Sequence, residues 1–126
     1  MPDFLAKRIG RLVCACIAMA TALPACASNF EFLPAPEITL NRVYRVDKTT
    51  GEVGACQFGL KDDSKVGVTL CYGAGEGAGP QPPGAYSLVN TRHEKEGGVF
   101  RVNTRDGSMS ICYVIEDKVV CTPAAR

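Results

Sequence analysis

The chain predicts an all-β fold: a duplicated antiparallel β-meander, stapled by disulfides, behind an N-terminal signal peptide. Three observations predict it. Val43-Tyr44-Arg45-Val46-Asp47 recurs 56 residues later as Val99-Phe100-Arg101-Val102-Asn103, and the same offset sets Gly51 on Gly107, Val53 on Met109 and Cys56 on Cys112 without a gap. Both segments alternate apolar and polar residues with the period of two that marks a strand. Beyond residue 27 the chain holds four cysteines, two in each copy. An even number in a small exported domain reads as a disulfide framework.

The first 27 residues read as a secretory signal peptide of bacterial type. Lys7, Arg8 and Arg11 make a basic start, residues 12–23 an uncharged apolar run, and Ala25-Cys26-Ala27 a small-residue cleavage site before Ser28. The run is about a dozen residues long, against roughly 20 needed to cross a bilayer. Leu23-Pro24-Ala25-Cys26 also resembles a lipobox, with Pro24 unusual at its second position. Lipidation of Cys26 is therefore the alternative to soluble export. Cys14 and Cys16 leave with the leader in either case, so cysteine parity does not choose between them.

Residues 28–126 make one β domain: repeat one at about 38–72, a Gly/Pro linker at 73–84, and repeat two at about 85–123. Its 11 Lys and Arg against 12 Asp and Glu give a net charge of −1. A chain of this size buries little more than ~60% of its unfolded surface, so cross-links add needed stability.

Residues 28–37, with Pro34 and Pro36, read as an extended lead-in, and 38–40 as a candidate first strand of copy one. In 43–47, Tyr44 and Val46 point to one face. The turn 47–51 starts with Asp47, able to bond its own backbone, and ends in Gly51, which supplies a positive φ. The next strand covers 53–58. Setting Cys56 opposite Cys71 leaves Asp63-Ser64 at the tip of a longer polar hairpin. Residues 73–84, rich in Gly and Pro, are neither helix nor strand.

Copy two begins with a strand at 85–90 and a charged loop at 91–98. In 99–103, Phe100 and Val102 are expected on the apolar face and Arg101 on the polar one. The turn 103–107 repeats the first. Setting Cys112 opposite Cys121 pairs Tyr113 with Val120, Val114 with Val119 and Ile115 with Lys118, leaving Glu116-Asp117 as a two-residue loop. Opposed cysteines lie within disulfide reach, so Cys56–Cys71 and Cys112–Cys121 are the expected bridges. Pairing Cys56 with Cys112 would mean that the copies meet through their second strands.

Two resemblances follow. Tyr44-Arg45-Val46-Asp47-Lys48-Thr49-Thr50-Gly51 resembles the hairpin of quinoprotein-type β-propeller repeats. It implies a meander and no cofactor: two units cannot close a ring of about four to eight blades, and the chain has no tryptophan. Gly84-Ala85-Tyr86, then 98–107, Cys112 and Cys121 resemble small exported bacterial β proteins with a Gly-Arg-Tyr…Arg-Leu-Asp-Thr-x-Thr-Gly…Cys…Cys pattern. The departures are Ala85, Asn103 and Asp106. This resemblance implies export and fold and carries no activity.

Catalytic groups are sparse. His93, the one histidine, sits in a charged loop with no nucleophile motif beside it. The cysteines lack C-x-x-C spacing and suit hairpins better than a zinc site. The glycines of 73–79 run into Pro80 and not into a helix, so they do not make a phosphate loop. Asp47 with Glu52, and Asp62 with Asp63, read as turn and loop-tip residues, and the second pair lacks the spaced ligands of a calcium loop. Arg45 and Arg101, at matching positions, are candidates for a shared anion site if the copies pack face to face. The aromatics Tyr44, Phe58, Tyr72, Tyr86, Phe100 and Tyr113 are expected in packing. Without a basic track they do not suggest nucleic acid.

The sequence thus points to a periplasmic or secreted bacterial protein that is no enzyme and holds no cofactor or metal. It reads as a binding or structural module with an envelope or extracellular partner. One alternative is an envelope lipoprotein, touching the membrane only through Cys26. The other is an inhibitor of a secreted enzyme, for which the exposed loop 61–65 is the candidate.

Overall fold

A computed structural model describes residues 29–123. The expected signal peptide, with Cys26 and the expected cleavage point before Ser28, lies outside the described residues. The described chain is all β, with eight strands: β1 (Phe30–Pro34), β2 (Arg42–Asp47), β3 (Val53–Leu60), β4 (Gly67–Ala74), β5 (Tyr86–Val89), β6 (Val99–Asn103), β7 (Met109–Ile115) and β8 (Lys118–Thr122). They form one sheet in the order β1-β2-β3-β4-β8-β7-β6-β5. Two four-stranded antiparallel meanders are thus joined through one short parallel pair, Gly73↔Lys118 and Ala74↔Val119.

The hairpins match at the offset seen in the sequence. Val43 faces Cys56, and Val99 faces Cys112. Asp47 Oδ1 accepts from the Thr49 and Thr50 N–H groups, and Asn103 Oδ1 from the Arg105 N–H. Gly51 and Gly107 close the turns with φ of 74° and 75°, each donating its N–H to the carbonyl of the turn's first residue. Both bridges form between directly opposed cysteines, Cys56–Cys71 and Cys112–Cys121. Two disulfides are consistent with an oxidising extracellular or periplasmic location.

Three segments differ in kind from the sequence reading. The partner of β2 is β1, at 30–34, while 38–40 lies in a turn region. Pro34 is tolerated because β1 is an edge strand. β4 runs on through Gly73 and Ala74 to meet β8. The remaining linker is a packed strap: Gly75 N–H donates to Val119 O, Cys121 N–H to Glu76 O, and Val53 N–H to Ala78 O. Further along the strap, the Gln81 N–H donates to Thr50 O.

The two meanders bury opposite faces of matching strands. In β2 the buried residues are Tyr44 and Val46; in β6 they are Val99 and Arg101, which match the exposed Val43 and Arg45. Phe100 and Val102 therefore do not face the core as expected. The cause is the register of the parallel pair. Gly73 sits opposite Lys118, an odd offset of 45, whereas the matching cysteines Cys71 and Cys121 are an even 50 apart. Side chains alternate with period two, so crossing from β4 to β8 exchanges the faces. The Cys56–Cys71 bridge lies on the outer face and Cys112–Cys121 in the core.

The sheet rolls until its two edges meet. Glu31 on β1 accepts from Ser87 Oγ (3.0 and 2.9 Å) and from the Leu88 N–H (3.1 Å) on β5. Inside lie Tyr44, Val46, Val53, Ala55, Tyr86, Leu88, Val99, Val119 and the second disulfide. Tyr44 donates its hydroxyl to Gly97 O at 2.6 Å, and burial raises its pKa.

The paired turn glycines provide a stability test. A Cβ on Gly51 would lie 2.9 Å from the Tyr86 ring, whereas one on Gly107 would meet nothing within 4 Å. Gly107→Ala should cost only the left-handed backbone penalty, about 1–2 kcal/mol. Gly51→Ala should cost clearly more in chemical denaturation, because a buried ring must also shift. Equal losses would show that Tyr86 moves freely.

Candidate functional site

The outer face of the first meander is unusually apolar for an exposed sheet surface. Phe30 and Phe32 come from β1, Val43 and Arg45 from β2, Gly54, Cys56 and Phe58 from β3, and Cys71 and Gly73 from β4. The registers place all of them on one side. Phe32 is 62% exposed and Phe58 59%. Beside Phe32 runs a groove of about 340 Å³, lined by Phe32, Val43, Arg45, Ala55, the Cys56–Cys71 bridge, Tyr72 and Gly73.

Each part has a local cause. Gly54 lies opposite Arg45, and a Cβ there would stand in ordinary contact with the guanidinium, 3.6 Å from Arg45 Nη2. Gly73 opens the other end, with nothing within 4 Å of its Cβ position. Arg45 stacks over the Phe30 ring at 4.9 Å, a cation–π contact that orients the charge at the groove's rim. The disulfide supplies a rigid apolar floor. The β3–β4 hairpin continues past the groove as a two-stranded ribbon, with the Phe58 ring folded over Gly67.

The structure separates the two candidate arginines. Arg45 is exposed on the outer face. Arg101 is 5% exposed inside the roll and donates to Gly51 O at 2.9 Å, Gly77 O at 3.0 Å and Ser110 Oγ at 3.4 Å. Burial lowers its pKa. The shared anion site expected from the sequence is therefore not formed, because the sheet faces are exchanged between the copies. Arg101 is a structural tie, and Arg45 alone offers its charge to a ligand.

The other candidates are placed as follows. Asp47 holds its turn, and the Thr50 and Thr49 N–H groups depress its pKa. Asp106 is held low in the same way by the N–H and hydroxyl of Ser108. His93 is exposed in the β5–β6 loop, and Asp62 and Asp63 are exposed at the β3–β4 tip. Among the described residues no three His, Cys, Asp or Glu side chains gather as a metal site. Of the six aromatics expected in packing, Tyr44 and Tyr86 are buried, whereas Phe58 stands on the outer face.

Phe32 and Phe30 were missed because Pro34 and Pro36 make 28–37 look like a lead-in. The alternation Phe30-Glu31-Phe32 is the signal that marks the strand. An apolar groove with one cation and a rigid floor can hold an extended or aromatic segment with a negative group at its end. No protein-family model, no curated protein and no solved structure matches this chain.

Proposed function

We propose that the chain is an exported, non-catalytic binding module of the bacterial envelope or extracellular space, and that it binds through the outer groove of the first meander. One observation carries this reading: solvent-facing Phe32 and Val43 line one groove over a disulfide floor beside Arg45, with exposed Phe58 on the same sheet face. Scattered exposed apolar residues need no explanation, but a contiguous apolar surface marks an interaction site. The expected partner is a protein segment with apolar side chains and an acidic group for Arg45. The small exported bacterial proteins that the sequence resembles fit this compartment. Anchoring through Cys26 would hold the same module at a membrane.

The inhibitor reading keeps one supporting observation: loop 61–65 stands at the end of a ribbon whose base is fixed by Cys56–Cys71. A single experiment separates the two. A photo-crosslinking residue is placed at Phe32, Val43, Asp63 or, as a remote control, Ile38, and the products are identified in intact cells. A product at Phe32 and Val43, weakened by Arg45→Glu and absent at Ile38, is the expected result. Crosslinks from Asp63 alone, to a secreted enzyme, would favour the inhibitor. Equal crosslinking from Ile38 would remove the groove as the site.

A further inference from the structure

Strand β4 leaves part of one edge open. Gly73 and Ala74 pair with β8, but from Gly67 to Tyr72 the strand pairs only with β3. The Cα atoms of Cys56 and Cys71 are 4.0 Å apart, the spacing of a non-hydrogen-bonded pair. Backbone groups of Val68, Leu70 and Tyr72 therefore point at β3, and those of Gly67, Thr69 and Cys71 point away from it. Among the described residues no backbone group bonds to these outward groups.

Edges of this kind are normally blunted by charge, proline or a bulge. Gly67-Val68-Thr69-Leu70-Cys71-Tyr72-Gly73-Ala74 carries no charge and no proline. Val66 and Leu70 flank the edge at 59% and 41% exposure. The edge thus combines free hydrogen-bonding groups with apolar side chains along one face.

We infer that β4 pairs with β4 of a second copy, antiparallel, across a two-fold axis at Val68. The incoming strand has to end before Gly73, where β8 begins, and an axis at Val68 satisfies that limit. Gly67 of each copy then faces Thr69 of the other, and each such pair exchanges both backbone hydrogen bonds. Val68 faces Val68, and Leu70 faces Val66, on one side of the joined sheet. On the other side Thr69 lies against the Phe58 ring that covers Gly67.

Charge complementarity selects a second copy as the occupant. At this register Lys65 of one copy reaches the level of the β7–β8 turn of the other, which presents Glu116 and Asp117. The hairpin tip, Lys61-Asp62-Asp63-Ser64-Lys65, is itself charge-balanced, so two copies do not repel. The interface is isologous, as a closed dimer requires. It uses the strand edge and not the groove, so it stands or falls independently of the binding reading.

The test is molar mass by sedimentation and light scattering over a concentration series of the exported protein, at low and high salt. The wild type should double its mass as concentration rises, with weaker association at high salt. Thr69→Pro removes an outward N–H that β3 does not use, so the hairpin should persist, as disulfide mapping and circular dichroism can confirm. It should stay monomeric. Lys65→Glu, at an exposed tip where folding is not at risk, should shift association to higher concentration. A wild type that remains monomeric throughout overturns the inference. So does association that neither substitution changes.

Discussion

Arg101→Ala should be among the most destabilising single substitutions in this domain, while Arg45→Ala, at the matching position, should scarcely be felt. Arg101 reaches from β6 to the β2–β3 turn through Gly51 O and to the strap through Gly77 O. It therefore ties three separate segments at the point where the rolled sheet closes. Its acceptors are carbonyls and a hydroxyl, none of them a carboxylate, so the side chain holds backbone groups and does not neutralise a charge. Truncation strands the buried Gly51 carbonyl at about 1–3 kcal/mol, removes the tie to Gly77 O and leaves a cavity besides. The expected total is about 3–5 kcal/mol, a large share of the roughly 5–15 kcal/mol that holds a domain together. Arg45 loses only an exposed cation–π contact, about 0.5–1 kcal/mol. Arg101→Lys should fall between, because an ammonium cannot reproduce the two-armed fork. Urea denaturation of the three variants checks the order. Equal losses for Arg45→Ala and Arg101→Ala would mean that the closure does not depend on this side chain.

The contrast between these arginines marks the limit of what the sequence reveals. Local chemistry was legible. Asp47 and Asn103 with Gly51 and Gly107 specify the turns, and the two-residue loop at Glu116-Asp117 fixes the β7–β8 register down to Ile115↔Lys118. The bridges follow from that register. What could not be read is which face of each hairpin turns inward. Both Tyr44-Val46 and Phe100-Val102 offer an apolar face, and Val43 and Val99 offer another. The choice depends on how β4 meets β8, a two-residue parallel contact between segments 45 residues apart. Period-two patterning is blind to it, since one residue of slip exchanges every side chain. The groove was hidden for the same reason. Val43, Arg45 and Cys56 belong to the face that copy two buries, and nothing local distinguishes them from Val99, Arg101 and Cys112.

The same exchange of faces predicts that the two disulfides differ in their contribution, and in the order opposite to loop length. Cys56–Cys71 spans 15 residues and Cys112–Cys121 spans 9. Chain entropy alone makes the first worth about 3 kcal/mol and the second a few tenths less. Burial reverses this. Cys112 is 0% exposed and Cys121 3%, so replacing both by Ser brings two hydroxyls into the core, at about 1–3 kcal/mol each from mutational data. The Cys112→Ser/Cys121→Ser variant should thus lose about 5–9 kcal/mol, against about 3 kcal/mol for Cys56→Ser/Cys71→Ser on the outer face. For a domain of this size each kcal/mol lowers Tm by about 4–8 °C, so the first variant should be largely unfolded when warmed modestly. Cys112→Ala/Cys121→Ala removes the hydroxyls and should recover much of the difference. Access separates the bridges as well. Cys71 is exposed, so a mild thiol reductant should open Cys56–Cys71 in the native protein, whereas Cys112–Cys121 should resist until the sheet unrolls. Trapping of free thiols during a reductant titration gives the order directly. Release of Cys112 and Cys121 first would place the second bridge at the surface and remove the exchange of faces on which the fold rests.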